Sequence, residues 1–362
     1  MVLCLGLLIL ASCSSQISTA IGSPGQVKPK NIILMIGDGM GLSHVSAHLF
    51  QQKGSVLENI KHIGFMKTHA ADDLITDSAA GATAMVTGQK TFVQGVGLDA
   101  HGRPIRNLAE IAHDSGFLTG VVTTSGILNA TPASLFGHCT NRYINDTLVE
   151  QFLNTKLDFV AGGDKKYFDG QENGRNLLPL LELNGFMVST FENQAINEIP
   201  LRKNKRHIYF SSDEDPILSF LGLKHLSYAA ETAIRYFNKS KEKNYFLMVE
   251  GAQIDWACHN GRPEAFFDRM ESFELAIKKI LSLAAKDKET LVIITADHAT
   301  GGVSVNPGSK EGDVKISFTT NGHTGCMVPV FAQGPGAEKF TGIYDNTALF
   351  NKMMEALSIP HK

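Results

Sequence analysis

Three short, nearly unbroken apolar runs each end in acidic or imidazole side chains, and that combination restricts the fold more than any other feature of the chain. Ile32-Ile33-Leu34-Met35-Ile36 leads into Gly37-Asp38-Gly39. Phe246-Leu247-Met248-Val249 leads into Glu250, with Asp255 and His259 close behind, and "LVIITA" (291–296) leads into Asp297-His298. A run of this length without polar alternation reads as a strand covered on both faces. Similar runs at 117–124, 158–163 and 328–334 add further strands. Helical patterns lie between several of them. "IRNLAEIAHDSG" closes on a glycine, and "PEAFFDRMESFELAIKKILSLAAKDK" opens at Pro263 with Phe266, Met270, Phe273, Ile277 and Ile280 at helical spacing. Strands alternating with helices predict an α/β fold: a mostly parallel central sheet flanked by helices on both faces. Ligands in such sheets bind outside the carboxyl ends of the strands, so the three endings converge on one rim.

With His323 from "NGHTG", the rim offers four carboxylates (Asp38, Glu250, Asp255, Asp297) and three imidazoles (His259, His298, His323). Four like charges in one pocket repel and are costly to desolvate, and divalent cations remove that conflict. Mixed imidazole and carboxylate ligands suit zinc, whereas an all-oxygen subset suits magnesium. The Asp255-x-x-x-His259 spacing puts both side chains on one face of a helical turn. His48, His62, His69, His101, His113, His207 and His225 read as ordinary surface or core residues, and His138 is left outside the site as well.

The segment "TDSAAGATAM" (76–85) is nearly all small side chains. Thr76 or Asp77 can cap a helix there, which puts Ser78 in the first turn, where backbone N–H groups favour negative charge. Ala79-Ala80-Gly81-Ala82 lets that helix press against the sheet and leaves space beside the hydroxyl. A helix end alone does not ionise serine at neutral pH. Zinc lowers the pKa of bound water to about 7 and acts on an alcohol in the same way.

The amino-terminal end reads as a processing segment. "VLCLGLLILAS" has signal-peptide length and is too short for a stable spanning helix, and Leu10-Ala11-Ser12-Cys13 resembles the bacterial lipobox. The expected organisation is a signal peptide over 1–13 ending at Cys13, a flexible Ser-, Gly- and Pro-rich tether over 14–30, and a single domain over 31–362. The protein would then be exported to the periplasm or cell envelope and touch the membrane only through lipid on Cys13. Cys139, Cys258 and Cys326 remain and read as free thiols. Of 362 residues, 43% are hydrophobic and 19% charged, which suits an ordinary core. A net charge of −3 gives no electrostatic reason for nucleic acid or an acidic membrane as partner.

Six segments, "IGDGMG", "TDSAAGATAMVTG", "NATPASLFGHCTNR", "VEGAQIDWACHNG", "TADHATGG" and "HTG", resemble in order the successive motifs of the alkaline phosphatase family, in its bacterial, compact, serine-nucleophile branch. The likeness runs from about residue 31 to the end. It implies an alkaline-phosphatase-like catalytic domain that hydrolyses phosphate monoesters with broad specificity and an alkaline optimum, through a phosphoserine intermediate. By this resemblance Ser78 is the nucleophile, and Asp38, Asp297 and His298 hold one zinc. Asp255, His259 and His323 hold a second zinc, while Glu250, Thr131 and again Asp38 serve one magnesium. Arg142 falls at the position of the family's phosphate-clamping arginine, whose planar fork holds two phosphoryl oxygens.

Two positions depart from the commoner family pattern. Asn129 stands where Asp or His usually precedes "ATPA", and Trp256 follows Asp255 where other branches carry Lys or His. Both bear on the third metal, and a neutral Asn129 implies a weaker hold on magnesium. Cys258, beside His259, reads as a packed thiol. Phosphodiesterases and sulfatases on the same scaffold typically place threonine or a modified cysteine at the nucleophile, so Ser78 with Arg142 favours the monoesterase. A non-catalytic phosphate- or metal-binding lipoprotein has no need of a nucleophile. The short connection from His298 to His323 implies a small lid and an open pocket for small-molecule monoesters. A homodimer would be in keeping with the family.

Overall fold

The structure is a computed structural model and describes residues 28–172, 174–216, 221–240 and 244–360. The expected signal peptide, lipobox and most of the tether lie outside the described residues. Strands β1 (Asn31–Gly37), β2 (His62–Lys67), β3 (Leu118–Gly126), β4 (Phe159–Gly163), β5 (Phe186–Thr190), β6 (Arg206–Phe210), β7 (Tyr245–Gly251) and β8 (Thr290–Thr295) come first. Two short ribbons follow, β9 (Ala299–Thr300) with β12 (His323–Thr324) and β10 (Val303–Val305) with β11 (Ile316–Phe318), and then β13 (Val328–Gln333) and β14 (Gly342–Asp345).

The main sheet has ten strands in the order β14-β2-β13-β8-β1-β7-β3-β4-β6-β5. Every neighbouring pair is parallel except those of β13, which runs antiparallel to both β8 and β2. Every residue of β1, β3, β7 and β8 is buried, so layers of helix cover both faces at the centre, as the unbroken apolar runs require. The two strands at the β14 end were less legible. β2 has only two buried residues and β14 has none, so neither carries a continuous apolar run.

Register brings the predicted endings together. Ile36 on β1 pairs with Glu250 on β7 and with Thr295 on β8, and Thr123 on β3 also pairs with Glu250. Asp38, Glu250 and Asp297 therefore leave three adjacent strands at nearly one level. Three helices complete the rim: α1 (Ser78–Thr87), α2 (Gln253–His259) and α3 (Pro263–Asp287). Helix α3 starts on Pro263 and buries Phe266, Met270, Phe273, Ile277 and Ile280, the stripe expected from spacing. Cys139 and Cys258 are buried free thiols and Cys326 is an exposed one.

Candidate active site

Asp77, rather than Thr76, caps α1: its Oδ1 accepts from the Ala80 amide at 3.1 Å, and Ser78 is the first helical residue. All ten residues of α1 are buried. The small side chains have a direct cause at Gly81, where an added Cβ would stand 3.0 Å from the carbonyl oxygen of Asp297 and 3.2 Å from its Cβ. Helix α1 thus touches the end of β8, and Ser78 Oγ comes within 3.2 Å of His298 Nε2. Asp77 also turns its other oxygen to Arg142, whose Nη1 lies 3.3 Å away. One carboxylate both caps the serine helix and orients the guanidinium.

Around His298 Nε2 converge Asp38 Oδ1 at 3.4 Å and Asp297 Oδ2 at 3.3 Å. Asp297 Oδ1 accepts from the amides of Gly39 (3.2 Å) and His298 (3.0 Å). By contrast, Asp297 Oδ2 and Asp38 Oδ1 are buried without any hydrogen-bond partner among the described residues. A buried carboxylate oxygen left unpaired is costly, so two such atoms facing one imidazole nitrogen point to a cation. Burial, then the neighbouring charges of Asp297, Asp255 and Glu250, push Asp38 well above the ordinary carboxylate range. Burial likewise raises Asp297 to about 6 and Glu250 to about 7. Without positive charge nearby, these carboxyls ionise less readily than free ones.

His298 is set as a lone-pair donor by its own surroundings. Thr300 spends its hydroxyl proton on Asp255 Oδ1 and so accepts from His298 Nδ1, 3.1 Å away. The Nε2 lone pair must then face Ser78, Asp38 and Asp297, and burial lowers the imidazole to about 4, keeping it neutral. Gly39 makes room for this relay: its φ is +72°, and an added Cβ would meet Thr300 Oγ1 at 2.6 Å. Beneath the relay His44 Nε2 donates to the Thr300 carbonyl at 2.8 Å.

His259 and His323 obey the same logic. Their Nδ1 atoms donate to the backbone carbonyls of Asn321 and Thr76. Their Nε2 atoms then meet at 3.1 Å, with Asp255 Oδ2 3.2 Å from His259 and Asp255 Oδ1 3.6 Å from His323. Two lone pairs at that distance repel unless a proton or a cation lies between them. The Asp255 carboxylate, which accepts from its Nε2 once the ring is protonated, raises His259, whereas burial lowers His323 to about 4. Burial opposes ionisation of Asp255, but His259, which donates to it once protonated, and the charges of His298, His259 and His323 hold it near 2. Two groups, Asp38–Asp297–His298 and Asp255–His298–His323, each hold their ligand atoms within 4.8 Å of one another. His298 stacks on His323 with ring centroids 3.7 Å apart, so the groups adjoin.

Glu250 occupies a third corner. Thr123 and Ser125 of β3 donate to its Oε2, the second at 3.3 Å. Thr131 follows in a single helical turn, Ala130–Ala133; its hydroxyl lies beside Glu250 and makes no hydrogen bond of ordinary geometry among the described residues. Cys258 is fully buried, and burial pushes its thiol up, in keeping with a packed side chain. Trp256 is half-buried on α2. Sequence reasoning missed Thr123, Ser125, Thr300, His44 and the second role of Asp77. Only Thr300 left a trace, since period-two alternation past His298 in "DHAT" puts both on one face.

A serine at a helix start, an anchored arginine and paired carboxylate–imidazole clusters at the carboxyl rim of an α/β sheet define a metal-dependent hydrolase. The model of the alkaline phosphatase family matches residues 29–317 and 309–359. Alkaline phosphatase 4 of Bacillus subtilis is 31% identical over 91% of this chain and 88% of its own length. The Escherichia coli alkaline phosphatase is 30% identical over 91% and 86%. Among solved structures, the alkaline phosphatase of the Antarctic bacterium TAB5 is 34% identical and superposes with a TM-score of 0.87, covering 92% of this chain and all of that one. A mutant of that enzyme holds magnesium in the site named M3. The chain belongs to the alkaline phosphatase family, and it is a phosphatase that hydrolyses phosphate monoesters.

Proposed function

We propose that the chain hydrolyses phosphate monoesters of broad type in two displacements, with Ser78 as the nucleophile. The observation that carries this is Ser78 Oγ facing the lone pair of His298 at 3.2 Å, with Arg142 anchored beside it through Asp77. Arg142 binds two phosphoryl oxygens with its planar fork. Ser78 Oγ gives up its proton and attacks phosphorus in line; the P–O(Ser) bond forms, the bond to the ester oxygen breaks, and that oxygen leaves with the electron pair and takes up a proton to become the alcohol. Water then attacks the phosphoserine, the P–O(Ser) bond breaks and inorganic phosphate is released.

Asp38, Asp297 and His298 fit one zinc, Asp255, His259 and His323 a second, and Glu250, Thr131 and Asp38 a magnesium. Bound there, the ions would supply Lewis acidity that favours the ionised serine and water and offset the four carboxylates. Alkaline pH favours the ionised forms of both nucleophiles. Export and a lipid anchor at Cys13 belong to the same proposal and rest on the amino-terminal sequence. A homodimer is also proposed, on the habit of the family.

Acid trapping with labelled phosphate tests the assignment: label should fall on Ser78, and Ser78→Ala should lose turnover on the order of a thousandfold or more while folding normally. Label on any other residue would overturn it. Parallel assays with a chromogenic monoester, diester and sulfate separate the monoesterase from its relatives on this scaffold.

A further inference from the structure

The loop beside Glu250 is held by a carboxylate that no motif announces. Asp215 Oδ1 accepts from the Gly126 amide and from Asn129 Nδ2, each at 2.7 Å. A carboxylate only accepts, so Asn129 must turn its NH2 to Asp215 and its carbonyl oxygen elsewhere. Gly126 follows Ser125, whose hydroxyl reaches Glu250, and Asn129 lies two residues before Thr131. Asp215 is therefore bound to the same 125–131 loop that lines Glu250. Its own segment is clamped in place, because buried Gln253, two residues before Asp255, donates to the carbonyls of Thr124 (2.8 Å) and Pro216 (2.7 Å). From the other side Asp164 Oδ2 accepts from the Leu128 amide at 2.9 Å. Asp215 itself is exposed, and its Oδ2 has no hydrogen-bond partner among the described residues.

We infer that Asp215 supplies the third metal site with the carboxylate that position 129 lacks, acting as a positioning residue on the waters of bound magnesium. Protein-bound magnesium keeps several waters, and a solvent-facing carboxylate is suited to accept their hydrogen bonds. The neutral Asn129 is then half of a two-residue device, in which the amide holds the carboxylate. This assignment rests on the magnesium reading above and goes beyond it in naming a residue from a separate loop.

The test is a calorimetric magnesium titration of the full chain with its zinc sites loaded. It compares wild type, Asp215→Asn, Asn129→Asp and the exchanged pair Asn129→Asp with Asp215→Asn. Asp215→Asn should weaken magnesium binding by about tenfold, the usual effect of losing an outer partner. Asn129→Asp alone should bring no tightening, because it sets two carboxylates against each other where an amide held one. The exchanged pair should return affinity close to wild type. Equal magnesium affinity in wild type and Asp215→Asn overturns the role of Asp215 and leaves the magnesium reading intact. Absence of magnesium binding in wild type overturns both. Thermal unfolding in chelator verifies that each variant folds, and Asp215→Ser, with the same expectation, stands in for a variant that does not.

Discussion

His259 and His323 point their Nε2 atoms at each other across 3.1 Å, each fixed by a backbone carbonyl at its other nitrogen. Neither ring can rotate away without giving up its Nδ1 bond. The pair is pre-organised to receive an electrophile together with Asp255, and the cost of holding two lone pairs close is met when the chain folds, before ligand arrives.

Thr300 couples this pair to the serine side, since its hydroxyl donates to Asp255 and accepts from His298. Thr300→Val keeps the shape and removes both bonds. Zinc affinity should fall about ten- to a hundredfold with the fold retained, measured by competition with a chromophoric chelator. Unchanged affinity would show that packing alone orients His298.

Arg142 and Asp77 should act in the same direction with different force. Arg142→Ala removes the phosphate fork, and competitive inhibition by inorganic phosphate should weaken by roughly ten- to a hundredfold. Asp77→Asn preserves the helix cap but loses the charge that orients Arg142, so its effect should be smaller and of the same sign. Inhibition constants for both variants decide this, and a larger effect from Asp77→Asn would contradict the hierarchy.

Glu250 predicts a pH-dependent stability in the chelator-stripped protein. Burial raises it from 4.5 to about 7. A carboxyl raised in the folded state contributes its stability below the unfolded value and loses it as pH climbs through the folded one. Glu250→Gln cannot ionise, so the variant should gain on wild type between about pH 4.5 and 7, by on the order of a few kcal/mol. Unfolding midpoints from pH 4 to 8 test this, and a difference independent of pH would refute it. Added magnesium should stabilise only wild type.

Gly81→Ala sets helix propensity against crowding. Alanine is the better helix former by about 1 kcal/mol. Its Cβ, however, would stand 3.0 Å from the Asp297 carbonyl oxygen, closer than such contacts ordinarily come. The helix or the aspartate must yield by a few tenths of an ångström. Turnover and zinc affinity should fall while thermal stability in chelator changes little. A variant with full activity would show that the rim tolerates the shift.

What the amino-acid sequence determined by itself is the scaffold's centre and which side chains end its strands. Buried parallel strands need unbroken apolar runs, and the residues that end β1, β7 and β8 are contiguous with those runs in the chain. Asp38, Glu250, Asp297 and His298 were therefore readable, as was Ser78 at the head of a helix of small residues. Tertiary structure alone decided how those groups are held. Asp77 meets Arg142 65 residues away, Thr300 meets Asp255 across 45, and Asp215 meets Asn129 across 86. Such partners carry no local pattern, because a hydrogen bond between distant segments depends on strand order and register rather than on spacing along the chain. Asn129 marks the difference most clearly: neutral as a letter in the sequence, it stands in the fold beside a carboxylate delivered from another loop.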